Sequence, residues 1–189
     1  MNAAWYFFDK LKPFISSSKN LLRTNMTNFI KTLIYDLKIN NAKSKVVVLL
    51  FRLSTIHAKT KMLYPLSLIF VILNKIVNEF FLGVELSYHL KIGKGFKIWH
   101  ANSVIINRSC VIGDNFVIRQ CCTLGGNKRG IDIHFKVGNN VEMGAHSCII
   151  GDDIEIGDNV KIGVGTLVMK SVPSDKTVIS SNKMIILDK

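Results

Sequence analysis

The sequence predicts a mainly β fold: a parallel β-helix of hexapeptide repeats in the C-terminal half, behind an N-terminal α-helical domain. Three observations predict it. Aliphatic residues recur at a fixed step of six, in Ile106, Ile112, Ile118 and Leu124 and again in Ile150, Ile156, Ile162 and Val168. Glycine follows the aliphatic in Ile92-Gly93, Ile112-Gly113, Val137-Gly138, Met143-Gly144, Ile150-Gly151, Ile156-Gly157 and Ile162-Gly163. Before Gly83 the apolar spacing is instead three and four, as in Phe29, Leu33, Ile34 and Leu37, which is the helical period.

Residues 1–82 therefore read as three or four helices, with polar breaks at Ser16 to Asn20 and Ile39 to Ser44. Pro65 suits a first helical turn and Gly83 the end of that helix. The most apolar run, Met62 to Leu73, is stopped by Asn74 and Lys75 and falls short of the roughly 20 residues a spanning helix needs. A buried or membrane-surface helix is the expectation there. The N-terminus lacks a basic segment followed by an apolar stretch, so no secretory signal is expected.

Residues 83–178 form the repeat domain, and residues 179–189 a C-terminal tail. Period six fits neither an α-helix nor a simple sheet; it fits a coil that turns a corner every six residues. Inward positions fall at Ile92, Ile98, Ile106, Ile112, Ile118, Leu124, Val137, Met143, Ile150, Ile156, Ile162 and Val168, about four coils at three per turn. The residue four later (Cys110, Phe116, Cys122, Ile154, Val160, Thr166, Val172) also points inward and is expected to be small at a tight corner. Gly, Asn and Asp supply turns that need positive φ or close backbone approach. The wide step from Leu124 to Val137 marks an ejected loop, roughly Gly125 to Lys136, where function is to be sought.

The chain of 189 residues has a net charge of +12, with 12 Lys/Arg against 4 Asp/Glu in residues 1–90 and 13 against 9 in the remainder. A basic surface of this kind meets nucleic acid, an anionic membrane, an acidic substrate or only solvent. With no nucleic-acid-reading motif present, nucleic acid is not an expected partner. Cys110, Cys121, Cys122 and Cys148 contain no C-x-x-C pair and occupy repeat positions that take a small hydrophobe, which points to reduced core thiols and a cytoplasmic setting. Of five histidines, His100 sits where the repeat slips by two residues and His134 sits in the ejected loop.

From Gly83 to about Pro173 the chain resembles the hexapeptide-repeat acyltransferases, specifically the serine acetyltransferase-like branch. Gly83-Val84-Glu85-Leu86-Ser87, Trp99-His100-Ala101, Thr123-Leu124-Gly125-Gly126, Ile133-His134-Phe135-Lys136-Val137 and Val168-Met169-Lys170-Ser171-Val172-Pro173 carry the likeness. The resemblance implies a left-handed β-helix, a homotrimer and acetyl-CoA-dependent O-acetyl transfer, with no metal. It implies His100 as the base that takes the acceptor's hydroxyl proton and Glu85 as the carboxylate that orients it. It places His134 and Trp99 against the substrate. Gly125, Gly126, Gly144, Ala145, Gly163, Val164 and Lys170 are the positions it assigns to acetyl-CoA, Gly125 or Gly126 also as an oxyanion donor.

The departures set the expected acceptor. Serine acetyltransferases carry an Asp before the catalytic His, and here that residue is Trp99. Losing the carboxylate removes a partner for a buried ammonium, and an aromatic suits a sugar face. The helical region is shorter than is usual in that branch, and Ser180-Ser181-Asn182-Lys183 replaces its Gly-Asn-Pro-Ala pattern. On these grounds the chain is closest to the short colanic-acid or capsule-type polysaccharide O-acetyltransferases, and a glycan acceptor is expected. The basic N-terminal half would then lie at the inner membrane as a peripheral contact. The alternative acceptor is serine, as in cysteine biosynthesis.

Overall fold

The computed structural model describes residues 23–56, 63–126 and 134–181. Helix α1 covers residues 23–39, α2 is Ala42–Ser54, and α3 is Tyr64–Leu73, which continues without a break as the π-helical stretch Asn74–Phe81. Asn41 caps α2 by accepting the Ser44 N–H at 3.0 Å, and Pro65 stands in the first turn of α3. Gly83, at φ +61°, ends the π-helical stretch by donating its N–H to the Glu79 carbonyl.

Among the described residues fourteen short strands follow in successive coils: β1 (Val84–Leu86), β2 (Lys91–Ile92) and β3 (Lys97–Ile98); β4 (Val104–Ile106), β5 (Cys110–Ile112) and β6 (Val117–Ile118); β7 (Thr123–Gly125), β8 (His134–Val137) and β9 (Glu142–Met143); β10 (Cys148–Ile150), β11 (Asp153–Ile156) and β12 (Lys161–Ile162); and a partial fifth coil, β13 (Leu167–Val168) and β14 (Thr177–Val178). Each strand pairs in parallel with its equivalent one coil away. Three sheets result: β1-β4-β7-β10-β13, β2-β5-β8-β11 and β3-β6-β9-β12-β14. This is a left-handed parallel β-helix.

Inward residues of one column stack on one another, as Ile106 on Leu124 and Leu124 on Ile149. One register departs from the six-residue reading: Ile149, fully buried, takes the inward place assigned to Ile150, and Ile150 is half-buried. An extra residue near Gly151 makes the step from Ile149 to Ile156 seven, so an unbroken count of six picks the wrong isoleucine. The second inward position is small at Cys110, Cys122, Val160 and Thr166 and large elsewhere: Phe96 stacks on Phe116 at 6.1 Å between ring centroids, and Phe135 stands in a different column between Cys110 and Ile154.

The corner from the second sheet to the third explains the glycine and asparagine pattern. A Cβ on Gly93 or Gly113 would come within 2.7 Å of the backbone of the next coil, so close coil spacing, not positive φ, requires glycine there. The next turn residues, Asn115, Asn140, Asn159 and Asp175, all have positive φ. Their side chains join into a ladder along the solenoid at 3.0, 2.9 and 2.9 Å.

The helices cover the open end of the first coil. An unpaired coil edge exposes carbonyls and N–H groups that must find partners. Arg52 donates to the carbonyls of Ile92 and Gly93, Ser44 to Ile98 and Asn40 to Phe96. The N–H groups of Gly95 and Ile98 donate to Asp36 and Asn40. Arg52 and Asp36 are themselves a buried ion pair at 2.7 Å. Burial raises the Asp36 carboxyl above its usual range, while the Arg52 guanidinium and the Gly95 N–H pull it down. Val47, Val48 and Phe51 of α2 join the β-helix interior in one hydrophobic core.

Candidate active site

The residues expected to act collect around the first sheet. Glu85 projects from the outer face of β1, opposite Ile105 of β4, and is exposed. It lines a cavity of about 630 Å³ closed on one side by the π-helical stretch. Gly125 and Gly126, at the end of β7, line the same cavity, with Tyr88, Arg108, Asn107, Lys75 and Glu79. Gly125 has no packing reason to be glycine: a Cβ there would meet nothing nearer than 3.8 Å, and its φ is not positive. Tyr88, Arg108 and Glu79 are lining residues that motif reading missed; Arg108 follows Asn107 at a corner, and only the fold brings it beside Glu85.

His100 lies on the corner that leads from the third sheet into the first. Its φ is +55°, and its side chain is exposed. In the strand register the residue equivalent to Cys121, His146 and Gly165 is Ser103, at φ +50°, so the left-handed backbone of His100 is additional to the corner's own and falls in the two-residue slip. Among the described residues His100 makes no hydrogen bond to Glu85. The pair expected from the motif is on one sheet and its flanking corner but is not in contact.

Trp99 is half-buried beside two cations. Lys97 Nζ stands 4.0 Å from the centre of its ring and the Arg119 guanidinium 5.9 Å, both in cation–π range. The His100 ring lies 6.4 Å from the Trp99 ring, tilted by 41°.

The positions expected to hold acetyl-CoA divide between the two edges of the first sheet. Gly144, Ala145, Gly163 and Val164 share the His100 corner. Gly144 donates its N–H to the Ile162 carbonyl at 2.8 Å, and Gly165 donates to Ala145 at 2.9 Å. A Cβ on Gly144 would be 2.6 Å from the Val164 nitrogen, so that glycine is required by coil spacing. Val164 is exposed. Lys170 is exposed at the opposite edge, after β13, and does not join the other four. His134 begins β8 and its backbone pairs with Asp153. Its side chain, residues 127–133 of the expected loop, and His57 lie outside the described residues. Among the described residues no cluster of His, Cys, Asp and Glu has the makings of a metal site. Cys110, buried among the coils, has its thiol pushed up to about 12 by burial, which makes it an inert core residue and no nucleophile.

No family model matches the chain. A serine acetyltransferase of Staphylococcus aureus is 42% identical over 105 residues, 54% of this chain and 48% of that protein. The chain thus spans about half the length of the curated relatives it matches. A stretch longer than half the chain must cross its middle, where Trp99 and His100 stand. A soybean serine acetyltransferase complexed with serine aligns over 82% of this chain and 68% of its own, at 27% identity and a TM-score of 0.68. A serine acetyltransferase in complex with CoA, 23% identical, aligns over 89% of this chain and 73% of its own with a TM-score of 0.67, and shares the fold. These findings overturn the expected glycan acceptor. The relatives and solved structures just named are serine acetyltransferases, which supports the alternative acceptor, serine, over a glycan. Over its β-helix the chain is similar to the serine acetyltransferases and carries the fold of the hexapeptide-repeat acyltransferases.

Proposed function

We propose that the chain is an acetyl-CoA-dependent serine O-acetyltransferase. The observation that carries this reading is the 42% identity to a serine acetyltransferase over a stretch that includes His100. The cavity beside Glu85 supports it: Arg108 and Lys75 offer cationic partners for a carboxylate, and Glu79 and Glu85 anionic partners for an ammonium. A small zwitterion needs both signs within one site.

In this reading His100 takes the proton of the serine hydroxyl as its oxygen attacks the thioester carbonyl carbon. The C–S bond breaks as the tetrahedral oxyanion collapses, and the imidazolium returns the proton to the departing sulfur. O-acetylserine and free CoA thiol result. Glu85 is the carboxylate assigned to orient the imidazole, a contact the two do not make within one chain and that closure of the site on substrate would have to make, and a backbone N–H at Gly125 or Gly126 faces the oxyanion. Gly144, Ala145, Gly163 and Val164 provide a narrow edge of small residues for the pantetheine arm, Lys170 a phosphate contact, and His134 and Trp99 a boundary to the acceptor. A homotrimer completes the site in this account. Exposed Ile105 and Leu167 on the first sheet, and Val164 and Met169 at its edges, support a second copy as their cover. Four free cysteines support a reducing, cytoplasmic setting. The proposed divisions are a helical domain over residues 1–82, the β-helix over 83–178 and the tail over 179–189.

Thiol release from acetyl-CoA on adding L-serine tests the reading. His100→Ala is expected to lower kcat on the order of 10²–10⁴-fold. An unchanged kcat in that variant would remove His100 from the chemistry.

A further inference from the structure

A surface helix of a water-soluble fold turns its apolar side inward and its polar side out. The continuous helix Tyr64–Phe81 does the reverse. Its buried residues are Ser67, Asn74 and Asn78, which share one face. Asn74 donates to the Leu86 carbonyl of β1 at 2.8 Å, and Asn78 donates to the Val47 carbonyl of α2 at 3.0 Å. The opposite face carries Ile69, Ile72, Leu73, Ile76 and Phe80, at steps of three and four. Ile69 is 56%, Ile72 59% and Phe80 82% exposed. By length and composition this 18-residue helix is apolar enough to cross a membrane. The polar tethers to β1 and α2 instead hold it flat against the protein.

The described helical region is net basic, and on the helix itself Lys75 pairs with Glu79 at 3.9 Å. Among the described residues from 23 to 81 the exposed cations are Arg23, Lys31, Lys38, Lys43, Lys45 and Lys75, and Glu79 is the one exposed carboxylate. Asp36 is buried against Arg52.

We propose that the apolar face of Tyr64–Phe81 docks on an anionic lipid surface, lying in the headgroup–acyl boundary with the basic helical region facing the headgroups. Apolar burial and attraction to anionic lipid act together in such a contact, each basic residue near the surface adding to it. A second copy of the chain suits the face less well, because it would bring two like-charged basic surfaces together. The proposal is independent of the acetyl-transfer reading, since Ile69 and Ile72 line neither the cavity nor the His100 corner.

Flotation of the full chain with vesicles tests it, using equimolar phosphatidylglycerol and phosphatidylcholine against phosphatidylcholine alone. The chain is expected to float with the anionic vesicles and to be released by salt. Ile69→Glu combined with Ile72→Glu is expected to weaken vesicle binding at least about tenfold. Both sites are exposed, so the circular dichroism and the thiol release of the variant, measured without vesicles, should match the parent. Failure of the parent to float, or equal flotation of the variant, would overturn the proposal. So would sedimentation showing an assembly of the parent that the variant dissolves, since a second copy would then cover this face.

Discussion

A Cβ on Gly144 would stand 2.6 Å from the Val164 nitrogen, whereas one on Gly125 would meet nothing nearer than 3.8 Å. The two glycines look alike in the repeat and answer to different demands. Gly144→Ala must push two coils apart and is expected to destabilise the fold by about 1–3 kcal/mol. Gly125→Ala is expected to leave stability within about 0.5 kcal/mol and to lower thiol release, because its methyl group enters the cavity beside Glu85. Denaturant melts and initial rates of the two variants check both halves; equal stability losses would mean that Gly125 is also a packing residue. The sequence alone cannot separate them, since the distinction lies in what the neighbouring coil presents. His100 and Glu85 were named through a family motif, and the fold sets them on one sheet and its flanking corner without contact. Tyr88, Arg108 and Glu79 were not, because the cavity draws them from a corner, a neighbouring coil and a helix that no local pattern connects.

At the scale of elements, the helices act as the cap of the solenoid, a role that their apolar spacing did not reveal. The signal was in the polar residues. Asp36, Asn40 and Ser44 stand four apart on the α1–α2 segment, and with Arg52 they meet the open edge of the first coil. Asp36→Ala leaves the Arg52 guanidinium buried without its carboxylate, and a loss of about 3–5 kcal/mol is expected in urea unfolding. A loss below about 1 kcal/mol would show the cap to be dispensable. The β-strands were read nearly to the residue because stacking repeats the same demand every coil. Reading failed where the period itself changes. The extra residue near Gly151 moves Ile150 outward and Ile149 in, and Phe96 and Phe116 in one column and Phe135 in another take places expected to be small.

Across the whole molecule one core runs from Val47, Val48 and Phe51 through the coils to Val172. Neighbouring coils share their interior, and the helices are tied to the first coil by buried hydrogen bonds. The full chain is therefore expected to melt in one calorimetric transition, with helix and strand signals lost together. Separate melting of the helical signal would mean that the cap is an independent unit. The β-helix was readable from spacing and the likeness to acyltransferases from motif, but the acceptor was not. Trp99 pointed to a sugar on chemical type alone, and the likeness to serine acetyltransferases overturns that reading. The most direct measurement of the central claim is mass spectrometry of the product formed from acetyl-CoA and L-serine. The account predicts O-acetyl-L-serine in step with thiol release, both lost in His100→Ala. Unmodified serine, with acetyl-CoA consumed by another acceptor or by water, would contradict it.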